Sequence, residues 1–335
     1  MRFHQKTCVC AFVASALWIA VPAAAQEKAP PAARQVNVEE RRQVSDIVNV
    51  TSATQKVQLL TAFLAAHPAS VVRARLLTHV GVAITREPDA AVCVTLAEKF
   101  LALMSTDQER NVAGAILAEA YLKANRVDDA FQTIAVIRDD EALDLRLLVR
   151  LTTAGADEAR QRNLEHLAAS RKYGDLAIRA MEADRRPAGM DSAMWTEYKG
   201  KTLPSLYQSL GMLSLHGGAA AEAQTYLKKA VELAPDDPLN YIFLGAAANE
   251  EYMAATQQLK QVPPGAARDE LWGRTTMLLD QVIDAYAHAV ALSAGSSQEE
   301  AIRAQVWPDL ENYYKFRHKG SLEGLQALIA TYKKQ

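Results

Sequence analysis

Between Pro204 and Gly245 the chain repeats itself. Pro204, Tyr207, Leu210 and Gly211 recur as Pro238, Tyr241, Leu244 and Gly245, each 34 residues on. A fixed period of this length marks a supersecondary unit that stacks on copies of itself. Tyr207, Leu210, Gly211 and Ser214 step by three, one and three, so they share one helical face. A glycine inside that helix costs about 1 kcal/mol relative to alanine, a cost tolerated where a neighbouring helix must come close. Ala223, Leu227 and Ala230 form a second stripe, with small residues at the contact. Gly217-Gly218 breaks the chain between the two helices, and Pro235 follows the last periodic residue, Leu233. Asp236 and Asp237 then stand ahead of Pro238, suited to cap a helix that opens with proline.

The order Tyr207, Leu210-Gly211, Ala223, Leu227, Ala230, Pro235 resembles the tetratricopeptide (TPR) repeat, departing from it at Ser214, where that family places an aromatic. The resemblance implies an all-α fold, a right-handed solenoid of helical hairpins. Asn111 to Asp139 reads as another unit, with Leu117-Ala118, Tyr121, Ala130 and Ile134 in the family's places and Asn125-Arg126 at the turn. Leu117 and Leu210 are 93 residues apart, which is not a multiple of 34, so the chain between them is irregular. Helices are expected there near 140–153, 156–170 and 172–184, then a loop over 185–190.

The second copy is interrupted. Ala230-Val231-Glu232-Leu233 reappears as Ala289-Val290-Ala291-Leu292, 59 residues on instead of 34, so 25 residues have been inserted. Split between two helices, the insertion lengthens each by about 19 Å. Gln261 to Gly265, with two prolines, is the break between them. The spacing predicts an elongated hairpin, about 240 to 260 and about 266 to 293, projecting from the solenoid.

Residues 1–25 have the layout of a cleavable targeting segment: Arg2 and Lys6, then a mostly apolar run from Cys8 to Val21, then Ala23-Ala24-Ala25. Cleavage after Ala25 places the mature chain in a bacterial periplasm or outside the cell. Residues 26–37 are rich in proline and alanine and read as a linker. Without Arg2 and Lys6, the 37 basic residues become 35 against 39 acidic ones, a net charge of −4. That balance argues against nucleic acid and against a basic membrane patch. Cys8 and Cys10 leave with the targeting segment, so Cys93 is alone, cannot form an internal disulfide, and reads as a buried inert thiol.

The remainder reads as helices. They begin near residue 38, run over Lys56 to Ala66, Ala69 to Thr85 and Asp89 to Met104, and stop at His67-Pro68 and Pro88. Met194, Trp195 and Tyr198 form a short amphipathic stretch leading to Leu203. Gln298 to Arg317 is a helix with a kink or restart at Trp307-Pro308. Ser321 is an N-cap for a final helix carrying Leu322, Leu325, Leu328, Ile329 and Tyr332, against which Trp307, Tyr313, Tyr314 and Phe316 pack. Two lobes are expected, 38–186 and 190–335.

No catalytic or phosphate-binding motif occurs, and the mature histidines, His67, His79, His166, His216, His288 and His318, are not spaced to share a helical face as ligands. Each reads as a surface or turn residue. Asp139-Asp140-Glu141 reads as helix-start charge. No cofactor or metal is expected, and no enzymatic activity. The TPR resemblance instead implies ligand contacts from the inward places of the first helices: Gln208, Met212 and His216; Ile242, Ala246, Asn249 and Glu250; Glu119, Leu122 and Lys123. The same spacing also allows Met212 and Ile242 to pack within the stack. The set lacks a paired basic clamp for a carboxylate tail, so the expected partner is an extended peptide or a partner helix. Self-assembly through the projecting hairpin 238–293 is the alternative.

Overall fold

The computed structural model describes residues 37–137, 143–187, 189–297 and 299–332. Those residues contain helices and no strand. In order they are α1 (Val38–Asn49), α2 (Ala53–Ala66), α3 (Arg73–Thr85), α4 (Ala90–Ala102), α5 (Asp107–Lys123), α6 (Val127–Ala135) and α7 (Leu145–Arg160). Then follow α8 (Leu167–Glu182), α9 (Ser192–His216), α10 (Ala220–Leu233), α11 (Pro238–Leu259), α12 (Ala266–Ser293), α13 (Glu299–Arg317) and α14 (Leu325–Thr331).

Short polar side chains set the helix starts. Asn37, Ser52, Asp89, Asp191 and Asp237 each accept a backbone N–H of the first turn. Thr106 and Glu109 form a reciprocal capping box on α5. Pro238 occupies the first turn of α11, as expected. The turn after α9 falls on Gly217-Gly218, and Gly218 has φ of +72°.

Consecutive helices pair as antiparallel hairpins, and the hairpins stack. α9 packs on α10, α10 on α11, and α11 on α12. A second relation runs through the molecule: α1 touches α3, α3 touches α5, α5 touches α7, α7 touches α9 and α9 touches α11. The first helices therefore form one unbroken row, the arrangement of an all-α solenoid.

The 34-residue framework is visible in the packing. A Cβ on Gly211 would lie 2.5 Å from Cγ of Leu227, and one on Gly245 would lie 2.5 Å from Cε1 of Tyr286. Leu227 and Tyr286 stand 59 residues apart, so each glycine faces the same framework place once the 25-residue insertion is allowed for. The insertion makes α11 and α12 22 and 28 residues long, against 14 for α10.

Several local expectations are corrected. Residues 144–183 hold two helices, α7 and α8, where three were expected. Gly155 lies within α7, and Ser170 of α8 packs where its Cβ would stand. Pro204 does not begin a helix but lies inside α9, which starts at Ser192. The carbonyl that would have bonded its missing N–H belongs to the exposed Gly200, where water can serve it. Pro308 likewise lies inside a continuous α13, with the exposed Ala304 four residues before it, so no restart occurs. Helix α3 starts at Arg73, four residues later than expected. Ser321 serves the N–H of Glu323 and is not the cap of α14, which is Gly324 at φ +90°. Phe316 is exposed, whereas Tyr314 is buried and donates its hydroxyl to the Glu323 carbonyl. The targeting segment and most of the linker, and Asp139-Asp140-Glu141, lie outside the described residues.

Two large apolar clusters make the core. One runs from Ile47 to Leu213 and Ala230; the other runs from Tyr241 to Ile329. A small cluster of Ala223, Leu227 and Ala247 lies between them. Cys93 is buried, and burial raises its thiol above the usual range. Among the described residues no helix is long and apolar enough to cross a membrane.

Candidate functional site

The residues proposed for the groove all fall on α5, α9 and α11, three members of the row of first helices. Helix α7 stands between α5 and α9, so the α5 residues are one helix removed from the rest. Within the set, exposure divides them. Met212 and Ile242 are core residues, 1% and 3% exposed, and have no surface to offer. Lys123, His216 and Glu250 are exposed. Glu119, Leu122, Gln208, Ala246 and Asn249 are half-buried.

The half-buried polar members are held by other helices. Gln208 donates from Nε2 to Asp237 Oδ2 and Asn240 Oδ1, both at 2.8 Å. Asn240, itself buried, donates to the carbonyls of Ala230 and Ala234, so this amide pair ties α9, the end of α10 and the start of α11. Asn249 accepts from the Tyr313 hydroxyl at 2.7 Å, and Glu119 accepts from Arg150 of α7 at 3.0 Å. Lys123 donates to the Glu87 carbonyl.

A second constellation was not legible in the sequence. Asp128 in the first turn of α6, Glu158 in the last turn of α7 and His166 ahead of α8 converge, and one ligand-type atom from each lies within 4.8 Å of the others. Asp128 and Glu158 border a solvent-open cavity of about 590 Å³ whose wall also includes Asn125, Arg126, Arg150 and Asp157. His166 is buried, contrary to its reading as a surface residue. Its ring stacks on Phe131 at 4.2 Å and 5°, and its Nε2 lies 2.9 Å from Asp128 Oδ1. Burial lifts the Glu158 carboxyl above the usual carboxylate range; His166 opposes that shift and Asp128 adds to it. Glu158 Oε2 is buried without a hydrogen-bond partner among the described residues. His288 is also corrected: its ring is stacked between Tyr241 and Tyr332, at 3.8 and 4.3 Å. Asp128, Glu158 and His166 belong to the ends of three separate helices at sequence distances of 30 and 8, and no local spacing rule joins them.

No protein-family model matches the chain, and no curated protein matches it. Solved structures do match. The C-terminal part of a TPR repeat-containing protein from Cytophaga hutchinsonii is 12% identical, covers 88% of this chain and 99% of that chain, and superposes with a TM-score of 0.37.

Proposed function

We propose that this chain is a non-enzymatic scaffold, exported by its N-terminal segment, that holds an extended peptide or a helix of a partner protein along its row of first helices. One observation carries the reading: α1, α3, α5, α7, α9 and α11 touch in sequence, giving a continuous ribbed surface of the kind on which solenoids bind partners. Lys123, His216 and Glu250 are its accessible contacts, with Glu119, Leu122, Gln208, Ala246 and Asn249 at their margins. The mixed charge of that set suits a polar peptide better than a carboxylate tail.

The test is capture of periplasmic partners by the mature chain beginning at Gln26, compared with a Lys123→Ala, His216→Ala, Glu250→Ala variant of equal helicity. Loss of the captured partner is the expected result. Undiminished capture sinks the groove.

A second reading, self-association through the hairpin α11–α12, is favoured by exposed apolar side chains toward its distal end. Met253, Trp272 and Met277 are 56%, 61% and 60% exposed. Exposed apolar side chains gathered on one arm are the kind of surface that marks an interaction site.

A further inference from the structure

We propose that Asp128, Glu158 and His166 bind one divalent transition cation of the zinc class. The donor set is one imidazole and two carboxylates, which suits zinc, cobalt or manganese and is not the all-oxygen cage that calcium or magnesium takes. The three atoms already lie within 4.8 Å of one another. Ligand atoms sharing one such ion are up to about 4.2 Å apart, given metal–ligand distances of about 2.1 Å. Small rotations of the Asp128 side chain, 61% exposed, and of the half-buried Glu158 side chain bring all three atoms within that range.

Three further observations point to a cation and not to a closed hydrogen-bond network. First, Glu158 Oε2 is buried with no partner among the described residues, whereas Glu158 Oε1 has only Asn163 at 3.4 Å. A buried carboxylate oxygen left this way is costly, and a cation satisfies it directly. Second, the neighbouring cationic side chains are engaged elsewhere: Arg126 with Asp129 at 2.6 Å, Arg150 with Glu119 at 3.0 Å and Arg160 with Asp157 at 2.9 Å. Third, the imidazole is held in place by stacking on Phe131, so it is oriented before any ion arrives. On binding, the ion takes the place of the proton between His166 Nε2 and Asp128 Oδ1. Water from the open cavity completes its shell. The site joins the ends of three helices, α6, α7 and α8, so a bound ion cross-links the middle of the stack.

The experiment uses the full mature chain, stripped with a chelator and titrated with ZnCl2 by calorimetry, with thermal unfolding followed in parallel. One ion per chain is expected, with a rise in melting midpoint and no competition from excess MgCl2. His166→Gln, Asp128→Asn and Glu158→Gln should each weaken binding at least tenfold and abolish the rise in midpoint. Glu158→Gln keeps the side-chain size, so it decides the case alone if the His166 variant fails to fold. No uptake by the unaltered chain overturns the proposal. So does uptake of equal strength in all three variants, which would assign the ion to exposed histidines such as His216 and His318.

Discussion

The hairpins α9–α10 and α11–α12 share a framework and differ in what surrounds them. Each sets a glycine against a large side chain of its second helix, Gly211 against Leu227 and Gly245 against Tyr286. The shorter hairpin is flanked on both sides, by α7 and α8 before it and α11 after it. The longer is flanked by α9 and α10 on one side and by α13 and α14 on the other, with Gln224 of α10 donating to Glu251, Tyr313 of α13 to Asn249 and Arg317 of α13 to Asp280. Its added turns lean on each other: Arg274 bonds Glu251 across the pair, and Ala255 and Leu259 are buried while Met253, Trp272 and Met277 face solvent. The difference teaches that the glycine contact sets the stack, whereas length beyond it is free to vary.

Cutting away the large partner of each glycine gives the largest expected effect. Leu227→Ala and Tyr286→Ala each remove a buried side chain, 0% and 5% exposed, and leave a cavity beside a glycine that cannot fill it. Losses of about 2 to 5 kcal/mol are expected for each, read by denaturant unfolding. A loss for Tyr286→Ala below about 1 kcal/mol would break the equivalence of the two hairpins.

Acid gives an intermediate effect, and it should fall on the earlier part of the stack. Arg73 of α3 holds Glu109 of α5 through two hydrogen bonds, at 2.7 and 2.9 Å, and also bonds the Leu103 carbonyl at the end of α4. The Arg73 guanidinium, with help from Ser105, holds the Glu109 carboxyl down to about 2. A carboxyl depressed on folding contributes stability that is full above the unfolded value, near 4.5, and fades as pH falls toward 2. Glu109→Gln should therefore cost about 1.5 to 3 kcal/mol at pH 7, with the gap to the unaltered chain narrowing between pH 4.5 and 2. Hydrogen exchange should place the acid-induced loosening in α3–α5 before α11–α12. A gap that stays constant with pH contradicts the assignment.

The smallest effect on stability is expected at the tip. Met253→Ser with Trp272→Ser should change unfolding free energy by less than about 0.5 kcal/mol, because both side chains are exposed. If the hairpin mediates self-association, the same pair lowers the mass seen by light scattering. An unaltered chain that is already monomeric removes that second reading and leaves the groove.

What was legible in the sequence followed from period and punctuation. The 34-residue recurrence and the Gln261–Gly265 break located α10, α11 and α12 to within about two residues, because glycine, proline and cap chemistry act locally. Interior prolines misled, since Pro204 and Pro238 occupy the same framework place yet one lies mid-helix and the other starts one. Pro235 and the capping Asp237 stand just ahead of Pro238, whereas α9 runs without a stop from Ser192 to Pro204, whose missing bond leaves only the exposed Gly200 carbonyl to water. Position within a repeat picks out the groove residues, but burial is not legible at that level. Met212 is sealed by its surroundings, with Arg160 Nε 3.2 Å from its sulfur. Asp128, Glu158 and His166 were invisible for the same reason: stacking of α6, α7 and α8 brings them together, and their sequence spacing carries no trace of it.

The turn at the far end of α11–α12 has a practical side. Pro263, Pro264 and Gly265 are exposed, and a side chain at Gly265 would meet no atom within 4 Å. Helix α11 carries that turn about 33 Å from its own first residue. A reporter, tether or grafted epitope spliced between Pro263 and Pro264 would ride on this arm, and the stack beneath it would keep its register.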